Sequence, residues 1–196
     1  MSNFVQLDLI KYDGEYLYNQ TLDLAKNNIH WHPYYNEICL NSSPKRPNDH
    51  LYGCGSFKFD WENKTTVETE DGETKIQIPI RKNPPTQDEF TMFNEKFSGT
   101  VFEEIYYKLT KKYRLGRTRL MTLEPKKCLT WHNDFSKRLH LPIKTNVGCQ
   151  MIIENEVLHM PAGTLWMTDT TKKHTALNAS EENRIHLVAV VLGTLD

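Results

Sequence analysis

Hydrophobic positions along the chain follow two different periods, and the change comes near Gly116. Before it the spacing is partly helical. Residues 13–28 place Leu17, Leu24 and Ala25 toward one side, which predicts an amphipathic helix. A second helix is predicted over 100–113, where Phe102, Ile105, Tyr106, Leu109 and Tyr113 make an apolar stripe. Thr100 and Glu103 have the spacing of a capping box, and Gly116 is read as the C-terminal stop. Between these helices, residues 64–80 read as a hairpin around Asp71-Gly72, a tight-turn pair. Ile76, Ile78 and Ile80 alternate there with polar neighbours, the pattern of a half-buried strand, and Pro84-Pro85 closes the unit. Residues 29–60, rich in aromatics, Asn and Pro, suggest no assignable element.

After Gly116 only short strands are predicted, near 117–123, 127–132, 138–145, 149–153, 156–160, 164–168, 174–178 and 184–192. Turn residues separate them: Glu124-Pro125, Asn146-Val147-Gly148, Glu154-Asn155, Pro161-Ala162-Gly163 and 180–183. Eight short strands with regular turns describe a barrel or a sandwich. The last, Arg184 to Val191, is apolar enough that both of its faces should be buried.

The 196 residues suffice for one domain with a sizeable core, divided here into an N-terminal part over 1–116 packed on a core over 117–196. Basic and acidic residues nearly cancel, 24 against 25, with no basic stretch, so nucleic acid is not an expected partner. No apolar run approaches the roughly 20 residues a membrane helix needs. The N-terminus lacks a signal-peptide pattern, and a cytoplasmic protein is expected. The Asn-x-Ser/Thr matches at Asn41, Asn63 and Asn178 therefore carry no weight. Cys39, Cys54, Cys128 and Cys149 are scattered without zinc-like spacing and read as reduced thiols in the core or at the surface.

The chemistry concentrates in Trp131-His132-Asn133-Asp134. In an extended segment, residues i and i+2 face the same side, so His132 and Asp134 can reach one cation. His174 follows near the start of a later strand. Two histidines and one carboxylate on one face of a metal leave three positions open, the facial triad of non-haem Fe(II) oxygenases. The His-x-Asp pair alone also describes a turn histidine beside a solvated aspartate. Arg184 opens the buried last strand and needs an anionic partner there, either a bound carboxylate or an internal Asp or Glu. Arg138 and His140 share one face of their strand while Leu139, Leu141 and Ile143 share the other. His186 lies on the Arg184 face, as a satisfied core histidine or as a ligand-binding one. Together these residues outline a cationic interior with apolar outer faces. The alternative for Arg138 and His140 is a solvated strand edge.

In order, the motifs are LEPKKCLTWHND, RLHLPIKTN and MPAGTLWMTDTTKKHTALNASEENRIHLV. With this order of His-x-Asp, Arg-x-His, His and then Arg, the run from Arg117 to Leu192 resembles the catalytic core of the 2-oxoglutarate/Fe(II) oxygenases. Within them it is similar to the aspartyl/asparaginyl β-hydroxylase-like branch, which includes free L-proline hydroxylases. The resemblance implies a mainly β fold, a double-stranded β-helix (jelly roll, cupin-like) with flanking N-terminal helices. It implies Fe(II) held by His132, Asp134 and His174, with 2-oxoglutarate and O2 as co-substrates. It implies that Arg184 holds the distal carboxylate of 2-oxoglutarate and that Arg138 and His140 help hold the co-substrate. The branch often adds a hydroxyl from the first core strand; here that stretch reads Met121-Thr122, so the helper is absent or shifted to Thr122.

The expected function is hydroxylation of a small amino acid or an Asp/Asn-type side chain. The alternatives are a protein or peptide hydroxylase and a non-catalytic cupin-type binding module. Arg81, Lys82, Arg117 and Arg119 are candidates for a substrate carboxylate, although each is more readily a solvated surface charge. Trp131 and Trp166 are candidates for the pocket wall, and the 64–80 hairpin for a lid.

Overall fold

The computed structural model describes residues 2–195. In chain order its strands and helices are β1 (Phe4–Lys11), α1 (Gly14–Lys26), β2 (Glu37–Cys39), β3 (Asn41–Ser42), β4 (Thr65–Glu68), β5 (Thr74–Gln77), β6 (Met92–Phe93), α2 (Val101–Thr110), β7 (Tyr113–Leu123), β8 (Lys127–Cys128), β9 (Arg138–Lys144), β10 (Cys149–Ile153), β11 (Glu156–Leu158), β12 (Thr164–Thr168), β13 (His174–Asn178) and β14 (Arg184–Thr194). β7 to β14 form a jelly roll. One sheet runs β12-β9-β14-β7, the other β11-β10-β13-β8, and their pairs are antiparallel. The chain therefore crosses repeatedly between two facing sheets, as a double-stranded β-helix does. β1 pairs with β12 and β2 with β7, so residues before Gly116 widen the first sheet to six strands.

β1 was not foreseen from the sequence. Its alternation is shallow, with only Phe4 and Ile10 buried, and it runs directly into α1. Asp13 caps α1, its carboxylate accepting from the Tyr16 amide at 2.8 Å. The second helix stops at Thr110, short of the expected 113, and Tyr113 begins β7 instead. Gly116 is not a helix stop but lies inside β7. A Cβ there would sit 2.6 Å from the Gln87 carbonyl oxygen, so close packing explains the glycine. Glu103 accepts from the amide of Gly99 at 2.7 Å and the Thr100 hydroxyl donates to the Phe97 carbonyl, so neither bond of the expected Thr100–Glu103 capping box forms. The turn expected at 161–163 does require its glycine: Gly163 has φ of 75°, and a Cβ would strike the Tyr12 carbonyl.

Strand alternation sorts the six-stranded sheet into two unlike faces. Ile38, Leu120, Leu187, Leu141 and Leu165 lie in register across five strands on the outer face. All are buried, packed under Leu17 and Leu24 of α1 and Phe102, Ile105 and Leu109 of α2. One row over, Cys39, Arg119, Val188, His140 and Trp166 line up on the inner face, toward the second sheet. A small apolar cluster of Phe4, Met151, Ile153 and Met160 fills part of the space between the sheets. β14 is buried on both faces from Arg184 to Val190, as its composition predicts.

Two expectations fail outside the core. β4 and β5 do form a ribbon, but every residue in both strands is exposed. Ile76 and Ile80 are 51% and 64% exposed, and Ile78 between them is part-buried. The turn is also longer than a two-residue one: Glu68 pairs with Thr74, leaving five residues between them. No helix among the described residues is long and apolar enough to cross a membrane.

Candidate metal centre

His132, Asp134 and His174 offer ligand atoms that all lie within 4.8 Å of one another. The chain brings them together by a single pair of backbone bonds. His132 N donates to His174 O at 3.1 Å, and His174 N donates to His132 O at 2.9 Å, an isolated antiparallel bridge beyond the end of β8. β8 itself covers only Lys127–Cys128, so the expected strand over 127–132 survives as that short piece and this bridge. Asp134 is fixed by its amide, which donates to the Thr170 carbonyl at 2.8 Å.

The tautomers of both histidines follow from their partners. His132 Nδ1 lies 2.7 Å from the Thr130 carbonyl and His174 Nδ1 lies 2.9 Å from the Lys172 carbonyl. A carbonyl only accepts, so each Nδ1 carries the proton and each Nε2 presents a lone pair. His174 Nε2 is 3.8 Å from Asp134 Oδ2. Burial lowers the pKa of His174 and favours the neutral, ligating form. Two imidazole nitrogens and a carboxylate oxygen at this spacing could hold a divalent ion.

The inner face beside them is cationic. Arg117, Arg119, Arg138 and Arg184 are all buried, whereas the first two were read as surface charges from sequence. Their partners explain the difference. Arg119 Nη1 donates to Glu37 Oε2 at 2.8 Å in a buried ion pair. Arg117 donates to the carbonyls of Gly53 and Gly55 and lies 4.1 Å over the Phe57 ring. Arg138 Nε donates to Asp134 Oδ2 at 3.0 Å, and Nη1 donates to the Ser136 hydroxyl at 3.0 Å. Arg138 and His140 thus face the interior and are not a solvated edge. Four buried guanidiniums share two carboxylates, Glu37 and Asp134.

Arg184 has no acidic partner among the described residues; Nη2 contacts only the His186 ring, at 3.1 Å. Burial pulls its pKa down to about 10. His140 and His186 are held well below the usual histidine range, by burial first and by Arg184 second, and are neutral. Arg117 is likewise lowered to about 9, by burial and then by Arg119.

Three further candidates are placed here. Trp131 is 53% exposed and Phe135 66% exposed, so Trp131 is not core but part of an apolar rim flanking His132 and Asp134. Trp166 is part-buried, its indole N–H donating to the Thr164 hydroxyl. Thr122 cannot serve the interior: it pairs with Ile185 and lines an open outer groove with Tyr18, Lys144 and Glu182. Met121, paired with His186, faces inward in its place. Of the remaining substrate-carboxylate candidates, Arg81 stacks 5.6 Å from the Tyr52 ring and Lys82 is exposed. Sequence reasoning missed Glu37, which lies in the unassigned 29–60 stretch. The apolar run Ile38-Cys39-Leu40 beside it was the available sign of burial.

The family model for aspartyl/asparaginyl beta-hydroxylase matches residues 87–192. L-proline cis-4-hydroxylase of Rhizobium meliloti (strain 1021) is 32% identical over 77 residues, which cover 36% of this chain and 28% of that enzyme. The match thus spans under a third of that relative's length. Among solved structures, AviO1 from Streptomyces viridochromogenes Tue57 superposes with a TM-score of 0.41 at 10% identity, covering 98% of this chain and 91% of the other. An oxidoreductase of the 2OG-Fe(II) oxygenase family from Burkholderia pseudomallei gives a TM-score of 0.37 at 10% identity, over 65% and 71% of the two chains.

Proposed function

Because the chain belongs to the aspartyl/asparaginyl β-hydroxylase family, we propose that it is an Fe(II)- and 2-oxoglutarate-dependent hydroxylase acting on a small amino acid or an Asp/Asn-type side chain. The observation that carries this reading is a pairing of two unmet demands inside one barrel. A three-residue cluster presents two imidazole lone pairs and a carboxylate. On the same interior, a buried guanidinium has no counter-anion among the described residues. A divalent ion answers the first demand, and a dicarboxylate able to chelate it answers the second.

In this reading His132, Asp134 and His174 hold iron, and Arg184 holds the distal carboxylate of 2-oxoglutarate. Bound iron and 2-oxoglutarate would supply the oxygen activation that no side chain can. The chain's own residues do the positioning. The Nδ1 bonds set the tautomer of both imidazoles and aim each Nε2. Arg138 orients the Asp134 carboxylate through Nε and adds positive charge near the metal-binding end of the co-substrate, where neutral His140 offers a ring nitrogen. Arg119, whose Nε is buried and unpartnered among the described residues, is the candidate for a substrate carboxylate. The exposed apolar rim of Trp131 and Phe135 would give bound substrate an apolar contact surface.

The openness of that rim also favours a second reading, a peptide substrate presenting an Asp or Asn side chain. One experiment addresses both. Fe(II) and 2-oxoglutarate are loaded anaerobically, oxygen is admitted, and succinate is measured with each amino acid and with Asp- or Asn-containing peptides. Stimulation by an amino acid or peptide above the uncoupled background is expected. No succinate under any condition would overturn the assignment, leaving a binding module.

A further inference from the structure

The outer face of the six-stranded sheet is not covered along its whole length. At one end Thr122 on β7, Ile185 on β14 and Lys144 on β9 lie in register and form the floor of an open cavity of about 750 Å³. Strand alternation alone would turn Lys144 inward with Arg138 and His140. A register shift between Ile185 and His186 prevents this. His186 pairs with Pro142 and Ile185 with Lys144, so β9 carries one extra residue there and the lysine is turned outward.

One wall of the cavity comes from α1. Leu17, Thr21 and Leu24 are the buried stripe of that helix. Tyr18, Leu22 and Ala25, at i, i+4 and i+7, form the adjoining stripe and face the cavity. Leu22 is 51% exposed, and Trp31 adds a second aromatic surface. A space of this size, with aromatic and aliphatic walls and one placed charge, has the make-up of a small-molecule site.

The charge identifies the class of ligand. Lys144 Nζ is held 4.6 Å from the centre of the Tyr18 ring and 3.3 Å from Glu182 Oε1. The lysine side chain is 25% exposed and the glutamate 63% exposed. Such a pair is weak, so another carboxylate can take the place of the glutamate. The other acid at the rim, Glu124, accepts from Asn36 at 2.8 Å and lies 3.6 Å from Lys127, so its charge is already matched.

We propose that this cavity binds a small aromatic carboxylic acid, with its ring against Tyr18 and Trp31 and its carboxylate on Lys144 in place of Glu182. The site is distinct from the metal centre, because Ile185 faces out of the sheet where Arg184 beside it faces in. The inference therefore stands apart from the reaction proposed above.

The test is proton–nitrogen correlation NMR of the Zn(II)-loaded protein, with excess 2-oxoglutarate to occupy the inner face. The probes are phenylacetate and phenylacetamide, which share a ring and differ in charge. Phenylacetate should shift the Trp31 indole signal and the amides of Thr122, Lys144 and Ile185 saturably. Phenylacetamide should bind about three- to tenfold more weakly. K144M should bring phenylacetate down to the level of phenylacetamide and leave the latter unchanged. E182Q removes the internal competitor and should strengthen phenylacetate severalfold. The inference is overturned if phenylacetate moves none of the cavity signals, or moves only signals around His132 and His174. It is equally overturned if the two probes bind alike, or if E182Q fails to strengthen phenylacetate.

Discussion

The two faces of the six-stranded sheet share one backbone and divide the work of the protein. On the outer face, leucine and isoleucine rows of β2, β7, β14, β9 and β12 pack under α1 and α2. On the inner face, the alternate residues of the same strands include buried arginines and histidines, with two carboxylates, Glu37 and Asp134, beside them among the described residues. The outer face gains stability from apolar burial. The inner face gives some of it back, because a buried charge or N–H without a partner is destabilising. A core arranged this way is stabilised from one side and held ready for ligands on the other.

That division can be broken at either face, and the largest effect is expected at the mouth. His174→Ala should abolish tight Fe(II) binding and all turnover while the protein stays folded, as measured by metal titration, circular dichroism and succinate assay. Retained activity would refute the assignment of His174. Arg184→Ala should follow: truncating one partner of a buried charge-assisted pair costs roughly 2–5 kcal/mol. That is a rise in the 2-oxoglutarate dissociation constant from about 30-fold to about 5,000-fold, with metal affinity little changed. Leu141→Ala, on the outer face of the neighbouring strand, should do the reverse. Urea denaturation should show about 2–5 kcal/mol of lost stability, while 2-oxoglutarate affinity of the folded fraction stays at the parent value.

The smallest effect is a pH dependence. Buried His140 has its pKa depressed well below the ordinary 6.5. The unfolded chain therefore binds a proton that the folded one refuses, and stability falls as pH drops below about 6.5. Each such histidine adds at most about 1.4 kcal/mol per pH unit to the slope. His140→Gln should remove one histidine's share between pH 6.5 and 5 in denaturation of the metal-free protein. An unchanged slope would mean that His140 is protonated in the folded state.

The jelly-roll core was legible in the sequence because its strands are short apolar runs cut by turn residues. Arg184 stood out because a charge contradicts a buried strand, and His132, Asp134 and His174 because their types and the i, i+2 spacing of the first two suit one cation. What could not be read depends on distant partners. Arg119 resembles any surface arginine until Glu37, 82 positions away, is brought beside it. Arg117 is buried only because a loop turns the carbonyls of Gly53 and Gly55 toward it. Ile76 of β5 and Ile80 beyond it show the converse error: alternation predicts a face to be covered, but not whether anything covers it. Thr122 and Met121 were separated only by strand register, since a shift of one residue exchanges inside for outside.

The Nδ1 bonds of His132 and His174 have a consequence for how this protein tolerates change. Each acceptor is the main-chain oxygen of the residue two positions earlier, at Thr130 and Lys172. Every amino acid carries that oxygen. A mutational survey would therefore score positions 130 and 172 as permissive, although each supplies an atom that aims an imidazole. The orientation is inherited through the path of the chain and leaves no letter in the alphabet of side chains. It can be lost by an insertion or deletion that shifts the turn, but not by an ordinary substitution at either position.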